Sequence, residues 1–190
     1  MSYYYLGVNP VVDLILVRTH PDLGLQALLI QRSITSDAEP GKLAFPGGFR
    51  DTDAVKGSKF DSGIFQEAPL AAALRECEEE TGIQSAHLAA HVREIGVYTG
   101  PGRDPRENAT QYSQSHAYFL SLDGVMSITQ SNKIFAQPGE IDVVGWHKWS
   151  DVMQYQLAFD HNLIATDAQR YIADKWRVPT DPIKAKKRFT

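Results

Sequence analysis

Three glutamates near the middle of the chain have the type and spacing of a cation site. Glu76, Glu79 and Glu80 stand at positions i, i+3 and i+4, and at about 100° per residue an α-helix places them within an arc of roughly 100°. Carboxylates this close repel one another, so the arrangement favours a bound cation. Hard divalent ions prefer oxygen ligands of this kind, with Mg²⁺ first and Ca²⁺ or Mn²⁺ as alternatives. A solvated, acidic helix end is the other interpretation of the glutamates alone.

The helix that must position these glutamates is predicted to begin near Glu67 and to end at Gly82. Pro69 is tolerated in the first turn of a helix, and glycine is the usual residue after the last turn. Leu74 and Cys77 fall on a separate, apolar face, which predicts that the single cysteine of the chain is buried. The negative end of the helix dipole adds to the repulsion among the glutamates, so the sequence indicates a positive partner there.

The residues around the glutamates resemble the sequence box of the Nudix hydrolases. The match runs through Glu67, seven residues, Arg75-Glu76, two residues, Glu79-Glu80, one residue and Gly82-Ile83. The resemblance implies an α/β fold, namely a Nudix-type α/β/α sandwich with a mixed sheet. It also implies hydrolysis of a diphosphate with a divalent metal ion. The metal ligands of the family correspond here to Glu76, Glu79 and Glu80, and a carbonyl of the preceding Gly-Gly pair makes Gly47 a further candidate.

The box departs from the family pattern at one point. In the family a glycine stands six residues before the first glutamate, but Asp61 occupies that position here. The Gly-Gly-Phe sequence that carries this glycine is present as Gly47-Gly48-Phe49, thirteen residues further from Glu67 than in the family. We therefore expect an insertion of thirteen residues between about 50 and 63, in a polar surface loop. The insertion affects the loop that contacts substrate much more than the chemistry of the helix.

Other charged residues near the box have predicted roles of their own. Arg75 lies outside the arc of the metal-facing glutamates, so we expect it to orient a carboxylate through a bidentate pair. Glu67 lies nearly opposite the metal face if it is already helical, and the alternative is a structural place in the first turn, where the dipole favours negative charge. In the family a later loop often supplies the general base, which indicates Glu140, with Asp142 behind it. A surface acid without a role explains these two residues equally well.

A second motif places two arginines in a stiff loop between two predicted strands. It reads Gly100-Pro101-Gly102-Arg103-Asp104-Pro105-Arg106. The planar guanidinium group suits phosphate recognition, and a turn with solvated charges is the alternative. The loop resembles the Arg-Asp-Pro-Arg loop of the ADP-ribose pyrophosphatase branch of Nudix proteins and of relatives that regulate NAD metabolism. The segment from Leu157 to His161 similarly resembles the Ala-Phe-Asp-His of that branch. The resemblance assigns Arg103, Asp104 and Arg106 to substrate binding.

Arg50 and Phe45 complete the predicted substrate-binding residues. Phe45 is one of several aromatic residues suited to stacking on adenine, and Tyr98 and Tyr112 are others. A place in the core or on a dimer surface explains each of these aromatic residues at least as well. For His161, a structural place at the start of the last helix is favoured over catalysis.

Hydrophobic patterns outside the box predict several strands and one further helix. The nearly continuous apolar run from Gly7 to Arg18 suits a strand covered on both faces, and Leu25 to Arg32 forms a hairpin with it. The helix is predicted from Asp160 to Trp176, with Asp160 as its N-cap and with Leu163 and Ile164 on its inner face. The other predicted strands span 91–100, 113–122 and 141–149.

Composition limits the broad class of the protein. The 190 residues, 43% hydrophobic and 22% charged, suit one domain, predicted over 1–177 and followed by a basic tail at 178–190. A net charge of −4 argues against a general nucleic-acid or membrane-surface binder. A single cysteine and the lack of a leader-like N-terminal segment indicate a cytoplasmic protein. The expectation of a homodimer rests on family analogy.

Together these observations predict a Mg²⁺-dependent enzyme that acts on a small nucleoside diphosphate. The expected reaction cleaves the pyrophosphate of ADP-ribose, or of a related nucleoside diphosphate sugar, to AMP or another nucleoside monophosphate and a sugar phosphate. One alternative is a Nudix hydrolase of dinucleoside polyphosphates or oxidised dNTPs. Another is a sensor that binds ADP-ribose without cleaving it. The three glutamates count against the sensor, because a pure binder does not need them.

Overall fold

The computed structural model describes residues 6–51, 67–85, 87–100 and 102–175. Most of the predicted insertion and the basic tail lie outside these ranges. None of the helices in the described ranges has both the length and the apolar character needed to cross a membrane. The strands are β1 (Gly7–His20), β2 (Gly24–Arg32), β3 (Leu43–Ala44), β4 (Gly47–Phe49), β5 (Arg93–Thr99), β6 (Gln111–Ser121) and β7 (Ile141–Lys148), and the α-helices are α1 (Pro69–Thr81), α2 (Ile128–Ser131), α3 (Trp149–Val152) and α4 (His161–Lys175).

One mixed sheet organises these elements. Its strands follow the order β3-β2-β1-β6-β5, with β4 also paired to β1 and β7 to β2. β1 and β6 run parallel, from the pairing of Gly7 with Gln111 to that of Val17 with Ser121. The other pairings among these strands are antiparallel. The predicted hairpin of the first two strands and the predicted mixed sheet are confirmed.

β1 is covered on both faces, as its apolar run predicts. Leu14 and Leu16 pack with side chains of α1 in one core cluster. Ile15 and Val17 belong to a second cluster, which includes Ile164 of α4. All these side chains are 0% exposed. Because successive side chains of a strand point to opposite faces, the two clusters place a helix layer on each side of the sheet and confirm the α/β/α sandwich.

α1 carries the three glutamates. It begins at Pro69, just after Glu67, because the residue before a proline is biased towards extended backbone, and Ala68 has a ψ of 143°. Gly82 ends the helix in the left-handed conformation, with a φ of 73°. Cys77 on the inner face is fully buried. The glycine cap, the place of Pro69 in the first turn and the buried cysteine are confirmed.

α4 covers the face of the sheet opposite α1. It begins at His161, so Asp160 occupies the position of the predicted N-cap. Ile164 is buried as predicted, but Leu163 is 53% exposed. The prediction that Leu163 faces the core is therefore wrong, because the stripe that packs on the sheet passes through Ile164, Ala168 and Ile172.

Candidate active site

A cavity of about 580 Å³ lies beside β4 and the C-terminal half of α1. Most of the predicted site residues line this cavity, whereas Arg50 and the second candidate base, Asp142, do not. Those that line it are Phe45, Gly47, Arg75, Glu76, Glu79, Glu80, Arg103, Asp104, Arg106 and Glu140. The fold therefore brings the glutamates, the Gly-Gly strand and the arginine loop to one place, although they are far apart in the sequence.

The glutamate face, formed by Glu76, Glu79 and Glu80, is presented by one side of α1. Glu80 is only 4% exposed, and its Oε2 accepts a hydrogen bond from the Gly47 amide at 2.9 Å. Glu140 extends from the loop before β7, where it is exposed. Its charge acts on both Glu76 and Glu80. The four carboxylates thus share one part of the cavity.

Burial and mutual repulsion raise the pKa values of Glu76 and Glu80. Burial raises the pKa of Glu76 to about 7, an effect that Arg75 opposes and that the charges of Glu79 and Glu140 reinforce. Burial also raises the pKa of Glu80 well above its ordinary value, and the charge of Glu76 adds to this. A positive charge beside these carboxylates would stabilise their ionised forms.

The Gly-Gly pair allows β4 to approach its neighbours closely. A Cβ atom at Gly48 would lie 2.6 Å from the Cδ and Oε1 atoms of Glu76. At Gly47, an added Cβ would lie 2.1 Å from the carbonyl oxygen of Val12. A larger residue at either position would have to displace backbone or the Glu76 carboxylate. The two glycines therefore set the distance between the glutamate face and the sheet.

Arg75 binds several carboxylates at the edge of the cavity. Its Nε and Nη2 donate to the two carboxylate oxygens of Glu67 at 2.8 and 2.9 Å. Its Nη1 donates to Glu76 at 2.9 Å and to Glu79 at 3.0 Å. The expected bidentate pair is present, with Glu67 as its partner. Glu67 lies before α1 and outside the lining of the cavity, so it anchors Arg75.

The glutamate face suits a hard divalent cation by charge and by donor atoms. In the described ranges, no three His, Cys, Asp or Glu side chains already stand in an arrangement that could hold a metal ion. Arg75 and the Gly47 amide bind oxygens of Glu76 and Glu80 instead. The raised pKa values of these two glutamates mark them as carboxylates that a cation would stabilise. Oxygen donors alone suit Mg²⁺ or Mn²⁺.

Arg103 of the arginine loop is buried in a network of protein groups. Its Nε and Nη2 donate to the two oxygens of Asp160 at 2.9 and 2.8 Å, and its Nη1 donates to Ser113 Oγ at 2.8 Å. Its Nη2 also lies 3.4 Å from Asp13 Oδ2. Arg103 therefore ties the loop to β1, β6 and the start of α4. Its contact with substrate stays a prediction.

Asp104 and Arg106 form a second pair within the same loop. The buried carboxylate of Asp104 accepts hydrogen bonds from Arg106 Nε at 3.0 Å and Nη2 at 2.6 Å. The guanidinium carbon of Arg106 lies 5.6 Å from the centre of the Phe49 ring. These contacts hold the side chain of Arg106 beside the cavity, and its contact with substrate also stays a prediction.

Asp13 and His161 connect β1 to α4 beside the cavity. His161 Nδ1 accepts a hydrogen bond from the Phe45 amide at 3.0 Å, so its Nε2 carries the proton that faces Asp13 Oδ1 at 3.1 Å. Burial alone would raise the pKa of Asp13, but His161, Arg103 and Ser115 together lower it to about 2. His161 is 2% exposed, which agrees with the structural place favoured for it.

Arg50, Asp142 and Phe45 are the proposed residues least favourably placed for ligand contact. Arg50 donates to the carbonyl oxygen of Glu67 and lies outside the lining of the cavity. Asp142 accepts a hydrogen bond from the Ile34 amide at 3.0 Å, also outside the lining. Phe45 adjoins the cavity, but its side chain is 1% exposed within the core, which leaves little ring surface for adenine.

Asp13, Arg32 and Phe159 line the cavity and are among the residues to which the sequence assigned no role. Asp13 is the one charged residue in the buried run from Val11 to Val17. A charged residue in a strand that is covered on both faces needs a partner, so its position in the sequence could have indicated a role for Asp13. Arg32 ends β2 beside a polar loop, which left it without an assigned role. Nothing in the sequence indicated that Phe159 adopts a φ of 53°.

Comparison with known families agrees with this geometry. The family model described as the NUDIX domain matches residues 9–167, which is most of the chain. The chain belongs to the Nudix family. Nudix hydrolases generally use divalent metal ions, which matches the donor atoms of the glutamate face. Comparison with curated proteins gives no match.

Several solved structures share the Nudix fold of this chain. The NUDIX domain of Shewanella oneidensis NrtR, complexed with ADP ribose, has a TM-score of 0.64 at 23% identity, covering 87% of this chain and 89% of that one. Shewanella oneidensis NrtR complexed with a 27mer DNA has a TM-score of 0.59 at 23% identity, covering 87% of this chain and 62% of that one. The third structure is a bifunctional NMN adenylyltransferase/ADP ribose pyrophosphatase from Francisella tularensis, complexed with AMP and a Mn ion. Its TM-score is 0.62 at 22% identity, covering 88% of this chain and 42% of that one. This Nudix chain therefore spans less than two thirds of the last two proteins.

Proposed function

We propose that this Nudix chain hydrolyses the pyrophosphate of ADP-ribose, or of a related nucleoside diphosphate sugar, with Mg²⁺ as the preferred metal ion. The products are AMP, or another nucleoside monophosphate, and a sugar phosphate. One observation carries the proposal: the glutamate face and three arginines, Arg32, Arg103 and Arg106, line the same cavity. A diphosphate neutralised partly by a metal ion and partly by guanidinium groups fits this mixed lining.

Two proteins with the same fold support the ligand class. The NUDIX domain of Shewanella oneidensis NrtR is complexed with ADP ribose. The Francisella tularensis protein is described as an ADP ribose pyrophosphatase and is complexed with AMP and a Mn ion. AMP is the nucleotide product expected here, and the arginine loop supports the same ligand class independently.

The metal ion would be held by carboxylates of α1 and a carbonyl of β4, from Glu76, Glu79, Glu80 and Gly47. When bound, the ion supplies a Lewis acid for a phosphoryl oxygen and lowers the pKa of water. Glu140 is the proposed general base, because its exposed carboxylate reaches the cavity from a loop and is able to accept the proton of the attacking water. Arg75 fixes the neighbouring carboxylates through its pair with Glu67.

Arg103 and Arg106 are the proposed partners of the diphosphate. Asp160 and Asp104 already fix their side chains, which reduces the conformational entropy lost when a ligand binds. Asp104 therefore acts through Arg106 in this proposal. Arg50 and the buried Phe45 ring are not proposed to contact the ligand directly.

A sensor that binds ADP-ribose without cleaving it is the second candidate. Its support is the shared fold with NrtR, which has been solved in complex with DNA. This chain covers 62% of that protein, so the likeness concerns the Nudix domain. The presence of all three glutamates in the cavity favours the enzyme.

Product release from a panel of substrates tests the proposal. The panel contains ADP-ribose, other nucleoside diphosphate sugars, dinucleoside polyphosphates and oxidised dNTPs, each with Mg²⁺, Mn²⁺ or EDTA. We expect the fastest turnover for ADP-ribose, with AMP and ribose 5-phosphate as products and no turnover in EDTA. Faster turnover of a dinucleoside polyphosphate or an oxidised dNTP would show that this compound, and not ADP-ribose, is the preferred substrate. Binding of ADP-ribose without turnover under any metal would establish the sensor.

A further inference from the structure

Phe159, in the motif from Leu157 to His161, contributes an aromatic ring to the cavity. The guanidinium carbon of Arg32 lies 4.9 Å from the centre of this ring, and that of Arg106 lies 5.9 Å from it. Both distances fall within the range of cation–π attraction. One aromatic side chain therefore contacts two cationic side chains at the place where the proposed ligand carries its negative charge.

The backbone at Phe159, which positions this ring, has an unusual conformation. Phe159 has a φ of 53°, in the left-handed region that bulky residues rarely adopt. Its neighbours anchor the segment, since the Ala158 amide donates to the Leu43 carbonyl at 2.8 Å and the Asp160 carboxylate binds Arg103. Conformations of this kind persist where the surroundings hold them, and they concentrate at functional sites.

Arg32 lies closer to the Phe159 ring than Arg106 does. Among the residues that the structure describes, no carboxylate forms an ion pair with Arg32, and its Nε donates to the Ala38 carbonyl at 3.0 Å. Burial lowers the pKa of Arg32 and the positive charge of Arg106 lowers it further, whereas the negative charges of Glu80, Asp104 and Glu39 raise it. The two guanidinium groups thus repel each other inside the cavity. The electron-rich face of the Phe159 ring attracts both groups and reduces this repulsion.

We propose that Phe159 is a positioning residue, whose ring holds the guanidinium groups of Arg32 and Arg106 in fixed places in the cavity, where they receive the diphosphate of the ligand. This inference rests on the proposed function, because it takes a nucleoside diphosphate as the ligand. Tyrosine at this position keeps an aromatic face, whereas leucine and methionine fill space without one.

Calorimetric binding of two probes that cannot be cleaved tests this role. The probes are α,β-methylene ADP-ribose and methylenediphosphonate, both with Mg²⁺. Phe135→Leu is the matched control, because Phe135 is 60% exposed and lies outside the lining of the cavity. We expect Phe159→Leu to lower the affinity for both probes by roughly fivefold or more. The affinities of Phe159→Tyr and Phe135→Leu are expected to stay within about twofold of wild type.

A double-mutant cycle with Arg32→Gln separates positioning from a general structural effect. If the ring acts through the arginines, Phe159→Leu loses less affinity in the Arg32→Gln background than in the wild-type background. Equal losses in the two backgrounds would overturn the proposal, as would unchanged binding by Phe159→Leu. If thermal unfolding shows that Phe159→Leu does not fold, the comparison of Phe159→Met with Phe159→Tyr replaces it and has the same expected outcomes.

The two probes also separate this inference from the proposed function. Suppose the wild type binds methylenediphosphonate but not the ADP-ribose analogue, and Phe159→Leu weakens the diphosphonate. That result contradicts the proposed substrate and supports the positioning role. A wild type and a Phe159→Leu variant that bind the analogue equally well contradict the positioning role alone. A wild type that binds neither probe contradicts both.

Discussion

The backbone amide of Gly47 donates a hydrogen bond to Oε2 of Glu80 at 2.9 Å. This contact joins β4 to the last turn of α1, so the Gly-Gly strand and the glutamate face behave as one unit. Two residues earlier, the amide of Phe45 is bound by His161, which also faces Asp13. The position of Glu80 therefore depends on residues of β1 and α4 that are far from it in the sequence.

Replacement of Gly48 by alanine is expected to disturb the glutamate face directly. The added Cβ would lie 2.6 Å from Glu76 Cδ, so either the carboxylate or β4 must move. Because small displacements of catalytic groups are costly, we expect kcat for ADP-ribose to fall by roughly tenfold or more. Steady-state kinetics measures the effect. Gly145→Ala is the matched control, since its added Cβ would meet nothing closer than His147 Nε2 at 3.5 Å, and equal losses in the two variants would count against this explanation.

Removal of the His161 side chain is expected to destabilise the fold. His161→Ala leaves the Phe45 amide without its partner and removes one of three partners of the buried Asp13 carboxylate, which keeps Arg103 and Ser115. We expect the free energy of unfolding to fall by about 2 to 4 kcal/mol, measured by urea denaturation. His91→Ala serves as the control, because His91 is exposed in a short 3₁₀ turn and its loss is expected to change stability by less than about 0.5 kcal/mol. Similar midpoints for both variants would contradict the structural role of His161.

The pair of Glu67 with Arg75 predicts a specific dependence of stability on pH. Hydrogen bonds from Arg75 lower the pKa of Glu67 below its ordinary value of 4.5. A lowered pKa means that the stabilisation by this carboxylate is complete above that ordinary value and is lost as the pH falls through the lowered one. We expect Glu67→Gln to be less stable than wild type at neutral pH by about 1 to 3 kcal/mol, and the difference to shrink in acid. Urea denaturation at a series of pH values measures this. A difference that is unchanged in acid would show that the charge of Glu67 contributes nothing.

Cys77 is expected to be unreactive in the folded protein. Its side chain is 0% exposed, and burial raises the pKa of its thiol to about 12, so almost no thiolate is present at neutral pH. We expect iodoacetamide to label Cys77 at least about a hundredfold more slowly in the native protein than in urea, as followed by mass spectrometry. Rapid labelling of the native protein would contradict the burial of this face of α1.

The glutamate face was predictable because it depends on local spacing. Helical periodicity placed Glu76, Glu79 and Glu80 on one side and Cys77 on the other, and Gly82 marked the end of the helix. β1 was predictable for the same reason, since a continuous apolar run indicates a strand buried on both faces. Such features need only the positions of neighbouring residues.

The network around Arg103 was not predictable from spacing. Its partners Asp160 and Asp13 lie 57 and 90 residues away in the sequence, so only the fold brings them together. From the sequence, phosphate recognition and a turn with solvated charges were the two interpretations of this loop, because residue spacing does not identify distant acidic partners of Arg103. The left-handed backbone of Phe159 has the same origin, since it is imposed by contacts of its neighbours with β3 and the arginine loop.

A comparison of Glu80→Gln with Glu78→Gln tests most directly whether the glutamate face binds a divalent cation that the hydrolysis needs. Both glutamates lie on α1, but Glu80 lines the cavity, whereas Glu78 binds Ser85 outside it. The measurement combines Mn²⁺ binding by electron paramagnetic resonance with Mg²⁺-dependent release of AMP from ADP-ribose. We predict that Glu80→Gln loses Mn²⁺ binding and at least about a hundredfold of AMP release, while Glu78→Gln keeps both. Equal Mn²⁺ binding and equal AMP release in the two variants would contradict the assignment of the metal site to this face.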